Sequence, residues 1–204
     1  MVSNMTAMPQ AIISTPEDYL RLESDAVDKH EWIDGRVLSM AGGSFGHSLA
    51  TSNVIRCVGN KLVGKPCRTL DSNIRVRVAT GGLYTYPDVT VVCGEPQFDT
   101  LDRSGGTLLN PRVIVEVLSP STEAYDRGEK FRRYRLIESL DEYVLISQTE
   151  AVIEVFTKQS DGAWQLSTFE GADAVARLGS IQIDLPLREI YAGVTFAAVP
   201  PTGS

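Results

Sequence analysis

The chain has 204 residues, of which 43% are hydrophobic and 22% are charged, a composition that suits one medium-sized domain with a substantial core. Its net charge of -7 and pI near 4.9 argue against a general polyanion binder, because nucleic-acid-binding domains usually carry a basic surface. A nuclease stays compatible with this charge, since it concentrates carboxylates at its metal and can keep a local basic rim.

The chain shows no membrane or targeting signal. No apolar run approaches the roughly 20 residues that a membrane helix requires, and 1–10 lacks the basic and apolar regions of a signal peptide. These features favour a cytoplasmic protein. Cys57, Cys67 and Cys93 are odd in number and lack a CxxC spacing, which predicts reduced thiols rather than disulfides or a zinc site.

The first part of the chain predicts helix, hairpin and helix. Thr15-Pro16-Glu17-Asp18 combines an N-cap, a proline and early acids, so a helix is predicted to about Val27. Asp34-Gly35 predicts the two-residue turn of a hairpin, with Glu31 at the start of its first strand. Apolar residues then recur every fourth position, which predicts a helix over 45–63.

The rest of the chain predicts strands around one charged helix. The predicted strands are 67–70, 74–78, 89–92, 113–118, 143–146, 152–156 and 164–169, with a loop at 95–110, a helix at 125–138 and closing apolar segments at 181–183 and 185–191. The order predicts an α+β or mixed α/β fold in which helices flank a central sheet. We expect a disordered tail at 1–12, one domain at 13–198 and a second tail at 199–204.

Glu116 is the most unusual residue of the predicted core. It lies in a run of β-branched residues, where a buried carboxylate is costly unless a metal, a cation or hydrogen bonds compensate it. Asp88 opens the neighbouring apolar run, so the two carboxylates are expected to converge at one edge of the sheet. Two carboxylates with water and substrate oxygens suit Mg²⁺ or Mn²⁺.

This pattern is compatible with phosphodiester hydrolysis, because a divalent ion can generate a hydroxide nucleophile and neutralise phosphate charge. Lys130, on the charged helix, can hold the water or stabilise the transition state, and Glu31 is a candidate third carboxylate. A structural interpretation stays open: Glu116 forms a buried ion pair with Lys130 or an arginine, and Asp88 caps a strand.

Other polar residues also allow two interpretations. His47, near a helix start, can contact substrate or metal, or can be a capping or packing residue. Arg132 and Arg133, with Arg135, can bind phosphates or form a solvated helix face. Asp71 can be a further ligand or can make local turn hydrogen bonds.

Several segments together resemble one known family. They are Tyr86-Pro87-Asp88-Val89, Val115-Glu116-Val117-Leu118-Ser119-Pro120-Ser121-Thr122, Tyr125-Asp126-Arg127-Gly128-Glu129-Lys130-Phe131, and 31–35, 71–76 and 141–145. In combination they resemble the Uma-type (Uma two) restriction endonuclease family of the PD-(D/E)XK nuclease superfamily. The resemblance covers most of the chain.

The resemblance implies a restriction-endonuclease-like core with Asp88 and Glu116 as metal ligands. The superfamily's lysine is expected two residues after Glu116, where this chain has Leu118, and Lys130 is the matching position of a lysine that has migrated to the next helix. The implied activity is Mg²⁺- or Mn²⁺-dependent cleavage of DNA. A homodimer is expected by analogy, because cutting both strands takes two sites or two events.

Two other classes of function stay open. A non-catalytic interaction or regulatory module would keep the fold and an inherited acidic pocket, and the acidic pI and the displaced lysine support it. A glycosidase could use the paired carboxylates, although nothing else in the sequence resembles a sugar cleft.

Overall fold

The computed structural model describes residues 15–40 and 42–196. The predicted tails at 1–12 and 199–204 lie outside these residues. Within them, helices and mixed sheets form the α+β architecture that the sequence predicted. No helix in these ranges combines the length and apolar character needed to cross a membrane.

The elements follow each other along the chain with strands in the majority. The helical segments are α1 (Pro16–Asp25), α2 (Phe45–Leu62), α3 (Glu123–Tyr125), a π-helical turn (Asp126–Lys130), α4 (Phe131–Tyr134) and α5 (Leu187–Ile190). The strands are β1 (His30–Ile33), β2 (Arg36–Ser39), β3 (Cys67–Asp71), β4 (Arg75–Val78), β5 (Leu83–Thr85), β6 (Val89–Cys93), β7 (Thr107–Leu108), β8 (Val113–Val117), β9 (Glu142–Ile146), β10 (Val152–Lys158), β11 (Trp164–Glu170), β12 (Val175–Leu178) and β13 (Ile183–Pro186).

The strands form two mixed sheets and a small ribbon. The first sheet has the order β2-β1-β5-β4-β7, the second has the order β11-β10-β9-β8-β6-β3, and β12 pairs with β13. The β4–β7 and β8–β9 pairs are parallel. The strands predicted at 143–146, 152–156 and 164–169 are confirmed as β9, β10 and β11, which form an antiparallel meander.

Local sequence signals explain the first elements. The Thr15 hydroxyl accepts the backbone N–H of Asp18 at 3.2 Å and so caps α1. Asp34 and Gly35 have φ angles of 45° and 86°, the left-handed pair that a type I′ hairpin turn requires. The stripe predicted for α2 is buried, and it packs this helix on the second sheet.

The second sheet has a core on each face. Val115 and Val117 of β8 pack with the buried stripe of α2. Ile114 and Leu118 face the opposite way and pack with the first sheet and Tyr134, in a cluster that we call the inter-sheet core. Because side chains alternate along a strand, Glu116 faces the inter-sheet core.

The differences from the prediction include both ends of the charged helical segment and two short strands. The charged helical segment begins at Glu123, whose N–H bonds to the Ser119 carbonyl at 2.9 Å, and regular helix ends at Tyr134 rather than 138. The predicted loop over 95–110 contains β7, and β5 was not predicted. Both strands are too short to show an alternating pattern.

The prediction of three reduced thiols is wrong for two of them. Cys67 and Cys93 form a disulfide, and Cys57 is free and buried. The two bonded cysteines are direct partners in the antiparallel β3–β6 pair, where cross-strand side chains approach closely on one face. This pairing depends on strand register, which spacing alone did not reveal.

A buried ion pair stabilises the first sheet. Arg75 Nη2 lies 2.9 Å from Asp102 Oδ2, and the Thr107 hydroxyl donates to the same oxygen at 2.6 Å. Burial raises the pKa of Asp102, but hydrogen bonds from Ser104, Thr107 and Arg75 lower it more, to about 2.

The low pKa of Asp102 predicts an acid-dependent stability. The folded-state pKa lies below the unfolded value of about 3.9, so the contribution is present above about pH 4 and is lost as pH falls towards 2. We expect Asp102→Asn to lower the free energy of unfolding by about 3–5 kcal/mol at neutral pH, because Arg75 loses its buried partner. The difference from the wild type should shrink in acid. Urea unfolding at several pH values measures it, with exposed Asp184→Asn as the control, and a difference that persists unchanged in acid would contradict the assignment.

The disulfide gives a second prediction. It joins residues 26 positions apart, and closing a loop of this size contributes about 3.5 kcal/mol. We expect the double variant Cys67→Ala/Cys93→Ala to lose about this much unfolding free energy. Dithiothreitol should destabilise the wild type and leave the double variant unchanged. Three titratable thiols in denatured, unreduced protein would show that the bond does not form.

Candidate functional site

The ammonium group of Lys130 lies among three carboxylates. Its Nζ is 3.0 Å from Glu116 Oε1, 3.1 Å from Glu31 Oε1 and 3.4 Å from Asp126 Oδ1. All four side chains are buried. We call these four residues the Lys130 cluster. Its members come from β1, β8 and the π-helical turn, so the cluster joins both sheets to the charged helix.

The helix supplies the cluster at intervals of four residues. Asp126 and Lys130 are the first and last residues of the π-helical turn, a feature often found at functional sites. Tyr134, four residues later, donates its hydroxyl to Glu116 Oε1 at 2.9 Å. Tyr143 of β9 donates to the Asp126 carbonyl at 3.0 Å, which fixes the turn to the second sheet.

Glu31 enters the cluster from the first sheet. The Thr85 hydroxyl donates to Glu31 Oε1, from the antiparallel neighbour β5. Glu31 is therefore held by a hydroxyl and by Lys130, and its position is set by the pairing of β1 with β5.

Asp88 lies directly before β6, next to Glu116. The Val117 N–H donates to Asp88 Oδ2 at 2.7 Å, and the Asp88 N–H is 3.4 Å from Glu116 Oε2. The antiparallel pairing of Val89 with Val115 explains why the two acids adjoin. The side chain of Asp88 is 18% exposed, so the site meets solvent at this acid.

His47 contacts Asp88 from the first turn of α2. Its Nε2 lies 3.2 Å from Asp88 Oδ2, and this hydrogen bond raises the pKa of His47 although burial lowers it. A Cβ atom at Gly43 would lie 2.7 Å from His47 Nδ1. The absence of a side chain at Gly43 thus allows the imidazole its position beside Asp88.

Negative charge exceeds positive charge at this site. Within the described residues, the ion pairs of the four acids Glu31, Asp88, Glu116 and Asp126 are made with Lys130 and His47. Burial raises the pKa of Glu116, Lys130 lowers it, and Asp126 and Asp88 raise it further. Burial lowers the pKa of Lys130, but Glu116 and Glu31 raise it well above its usual value. A further cation would relieve the repulsion among the acids.

The two candidate arginines have different surroundings. Arg133 is buried; its Nη2 lies 2.7 Å from Asp34 Oδ2 and 2.8 Å from Glu129 Oε1, and its Nη1 donates to the Gly81 carbonyl. It therefore anchors the helix to the β1–β2 turn. Arg132 has a side chain that is 61% exposed. A phosphate contact by either residue stays a prediction.

Asp71 makes local turn hydrogen bonds, which was one of its two interpretations. Its two carboxylate oxygens accept the backbone N–H and the side-chain amide of Asn73, each at 2.9 Å. These are the turn hydrogen bonds expected of a short acid before a loop.

Three residues of the site were not identified from the sequence. Asp126 and Tyr134 lie four residues before and after Lys130, and this spacing on a predicted helix would have identified them. Thr85 had no such signal, because the pairing of β5 with β1 is not visible in the sequence.

Asp88 and Glu116 are suitable donors for a divalent cation. Among the described residues, no group of three or more His, Cys, Asp and Glu side chains is arranged to hold a metal, so Glu31 does not form a ready third ligand with them. Mg²⁺ is commonly bound by one or two carboxylates together with water and substrate phosphates. The two-acid donor set fits that pattern, and the metal role of Glu31 stays a prediction.

The central position of Lys130 predicts a large effect on stability. We expect Lys130→Met to lower the free energy of unfolding by about 3–5 kcal/mol, because three buried acids lose their cation. Glu116→Gln in the same chain should recover part of this loss, with a coupling of about 0.5–3 kcal/mol. Urea unfolding of both single variants and the double variant measures the coupling, and strict additivity would contradict a direct pair.

Comparisons with known proteins agree on one relationship. The model of the Uma2 family, described as "Putative restriction endonuclease", matches residues 16–187. In Synechocystis sp., "Uncharacterized protein slr1290" is 36% identical over 197 residues, which are 96% of this chain and 100% of the relative. "Uncharacterized protein sll1609" of the same organism is 34% identical over 171 residues, 84% of this chain and 96% of the relative.

A solved structure shares the fold. The crystal structure titled as a putative nuclease belonging to DUF820 from Anabaena variabilis superposes with a TM-score of 0.70 and 16% sequence identity, over 88% of this chain and 98% of that chain. The restriction-endonuclease-like fold expected from the sequence is therefore confirmed. With the family match extending over 16–187, the chain belongs to the Uma2 family.

Proposed function

We propose that this protein is a metal-dependent endonuclease that hydrolyses DNA phosphodiester bonds at Asp88, Glu116 and Lys130. The observation that carries the proposal is the excess of carboxylates around one ammonium group, next to an acid that meets solvent. A structural ion pair needs one acid for one lysine. Here three buried acids face Lys130 and a fourth adjoins Glu116. Burying so many carboxylates lowers the stability of the fold, and such groups are concentrated at binding and catalytic sites.

The comparisons support the nuclease class. The family description names a restriction endonuclease, and the Anabaena protein of the same fold is titled a nuclease. Neither comparison identifies the metal or the reacting residues of this chain, which rest on the geometry described above.

Asp88 and Glu116 would hold Mg²⁺ or Mn²⁺ through their carboxylates. When bound, such an ion acidifies water and neutralises charge on the phosphodiester. His47 and the Val117 N–H both contact Asp88 Oδ2, so they orient this carboxylate and limit its rotation.

Lys130 orients the attacking water and stabilises negative charge in the transition state. An ammonium group has three N–H donors, and three carboxylates surround Nζ. Holding a water therefore requires the release of one carboxylate. Asp126, at 3.4 Å, makes the longest of the three contacts and is the one exchanged, while Glu31 and Glu116 keep the ammonium group in place.

Some of these contacts would also be expected if the residues had only a structural role. Glu116 does form a buried pair with Lys130, and Asp88 does accept the Val117 N–H. A non-catalytic module would need no more than this, so metal binding and cleavage must be measured together.

We expect Asp88→Asn and Glu116→Gln to abolish Mg²⁺- or Mn²⁺-dependent cleavage of DNA. The protein should stay folded, because each change replaces a metal-binding carboxylate with a neutral amide of the same size. Plasmid cleavage measures activity, and calorimetric titration of the two ions measures binding independently. Asp173→Asn is the matched control, since the Asp173 side chain is 99% exposed.

Metal-dependent cleavage by Asp88→Asn would contradict the assignment of Asp88 as a metal-binding residue. A wild type that neither binds these ions nor cleaves DNA would instead favour the non-catalytic module. Sedimentation of the same samples tests the expected homodimer, which stays a prediction.

A further inference from the structure

β11 (Trp164–Glu170) is an outer strand of the second sheet. It pairs with β10 on one side, and no described strand pairs with its other side. The ribbon of β12 and β13 forms a sheet of its own and does not extend this one. Along its outer side, β11 therefore presents backbone N–H and C=O groups that lack a partner strand, and such an edge can pair with a further strand.

Hydrogen bonds at both ends of the β10–β11 pair show which residues face outward. The Gly171 N–H donates to the Ala151 carbonyl at 2.9 Å, and the Gln159 N–H donates to the Ala163 carbonyl at 2.8 Å. In an antiparallel pair, residues that bond to the neighbouring strand alternate with residues whose backbone groups point away. The odd-numbered residues of β11 therefore bond to β10. The outward-directed residues are Trp164, Leu166, Thr168 and Glu170.

The other outer strands carry features that prevent edge pairing. Charged residues, prolines and short length are the usual protection. β3 carries the exposed residues Arg68 and Asp71, β2 begins at the exposed Arg36, and β7 has two residues. In contrast, β11 has seven residues, no proline and a single charge at its last residue, Glu170. Leu166 near its centre is 47% exposed. Among the described strands, β11 is thus the unprotected edge.

β11 is complementary to a second copy of itself. Two antiparallel copies overlap along their whole length when Ser167 lies opposite Ser167 of the second copy. In that register, Leu166 lies opposite Thr168 of the second copy, and Trp164 lies opposite its Glu170. Every outward-directed residue then faces another outward-directed residue, so the backbone groups of both strands are paired. The two Glu170 side chains lie at opposite ends of the pair, so no like charges meet.

The same register covers apolar surface and balances charge. Leu166 pairs with Phe156 of β10, and its diagonal neighbour across the edge is Leu166 of the second copy, which is within reach of a long side chain. Trp164 pairs with Lys158, so Glu170 of the second copy lies in the same row of side chains as this lysine. The contact strip is otherwise neutral, which allows two chains with a net charge of -7 to approach each other there.

We propose that β11 is a dimerisation surface, at which a second copy of this chain adds its own β11 in the antiparallel register centred on Ser167. The second sheets of the two copies then form one continuous sheet about a two-fold axis, the commonest symmetry of protein dimers. The inference uses no residue of the candidate site, so it does not depend on the proposed nuclease function. It gives a surface and a register to the homodimer that was expected by analogy.

Sedimentation velocity over a range of protein concentrations tests the surface. We expect the wild type to change from monomer to dimer as the concentration rises. Thr168→Pro should raise the dissociation constant by about 5- to 150-fold, because it removes one outward N–H from each copy and places the proline ring in the contact. Thr168→Ala is the matched control. It keeps the N–H and should leave the dissociation constant nearly unchanged.

Leu166→Lys tests the same surface through a side chain. It should raise the dissociation constant by about 2- to 30-fold, as expected when two symmetry-related cross-strand pairs are lost. Leu136→Lys is its matched control, because Leu136 is 51% exposed and lies beside Gly81, between β4 and β5. This control should dimerise like the wild type. Circular dichroism checks that each variant is folded.

Disulfide cross-linking tests the register. The two copies of Ser167 lie directly opposite each other, with Cα atoms about 4.5 Å apart, which a disulfide can span. We expect Ser167→Cys to form a covalent dimer under mild oxidation. Gln165→Cys is the control, because position 165 is on the same face but about 14 Å from its counterpart along the strand, too far for a disulfide.

The outcomes that would overturn the inference are distinct from those that bear on the nuclease. They are a wild type that stays monomeric at every concentration, an unchanged dissociation constant in Thr168→Pro or Leu166→Lys, and cross-linking of Gln165→Cys that equals or exceeds that of Ser167→Cys. None of these results affects the cleavage assay of Asp88→Asn, which decides the nuclease assignment by itself.

Discussion

The contact between the Lys130 ammonium and its three carboxylates is the constraint on which the rest of the structure depends. Glu31 belongs to the first sheet, Glu116 to the second and Asp126 to the helix that lies with them. The surrounding inter-sheet core is apolar, so these charges interact more strongly than they would in water. The group that unites the two sheets is thus also the group that the proposed chemistry uses.

This double role places stability and activity in competition. A surplus of buried acid is a poor way to stabilise a fold, since apolar residues of similar size often do better. Retaining it makes sense where selection acts on a bound cation and a reacting phosphate, which proteins accommodate at a cost in stability. The hydrogen bonds from Tyr134 and Thr85 then limit that cost by satisfying the carboxylates without adding charge.

Local signals predicted much of the fold, and long-range pairing explains the rest. The Asp34-Gly35 turn and the α2 stripe depend on neighbouring residues, so the sequence revealed them. Glu116 and Asp88 could be placed together because their strands are adjacent. The Cys67–Cys93 bond could not be predicted, because it depends on strand register. Arg132 and Arg133 look alike in sequence, yet only the position of the β1–β2 turn decides which one is buried.

The disulfide has a consequence for the edge of the second sheet. A slip of one residue in a strand turns every side chain to the other face of the sheet, and β3 is an edge strand with no neighbour beyond it within the described sheet. The bond between Cys67 and Cys93 forbids such a slip of β6 against β3. From about 17 Å along the strand, it acts as a covalent register lock that keeps the edge strand β3 in register with the strand that follows Asp88.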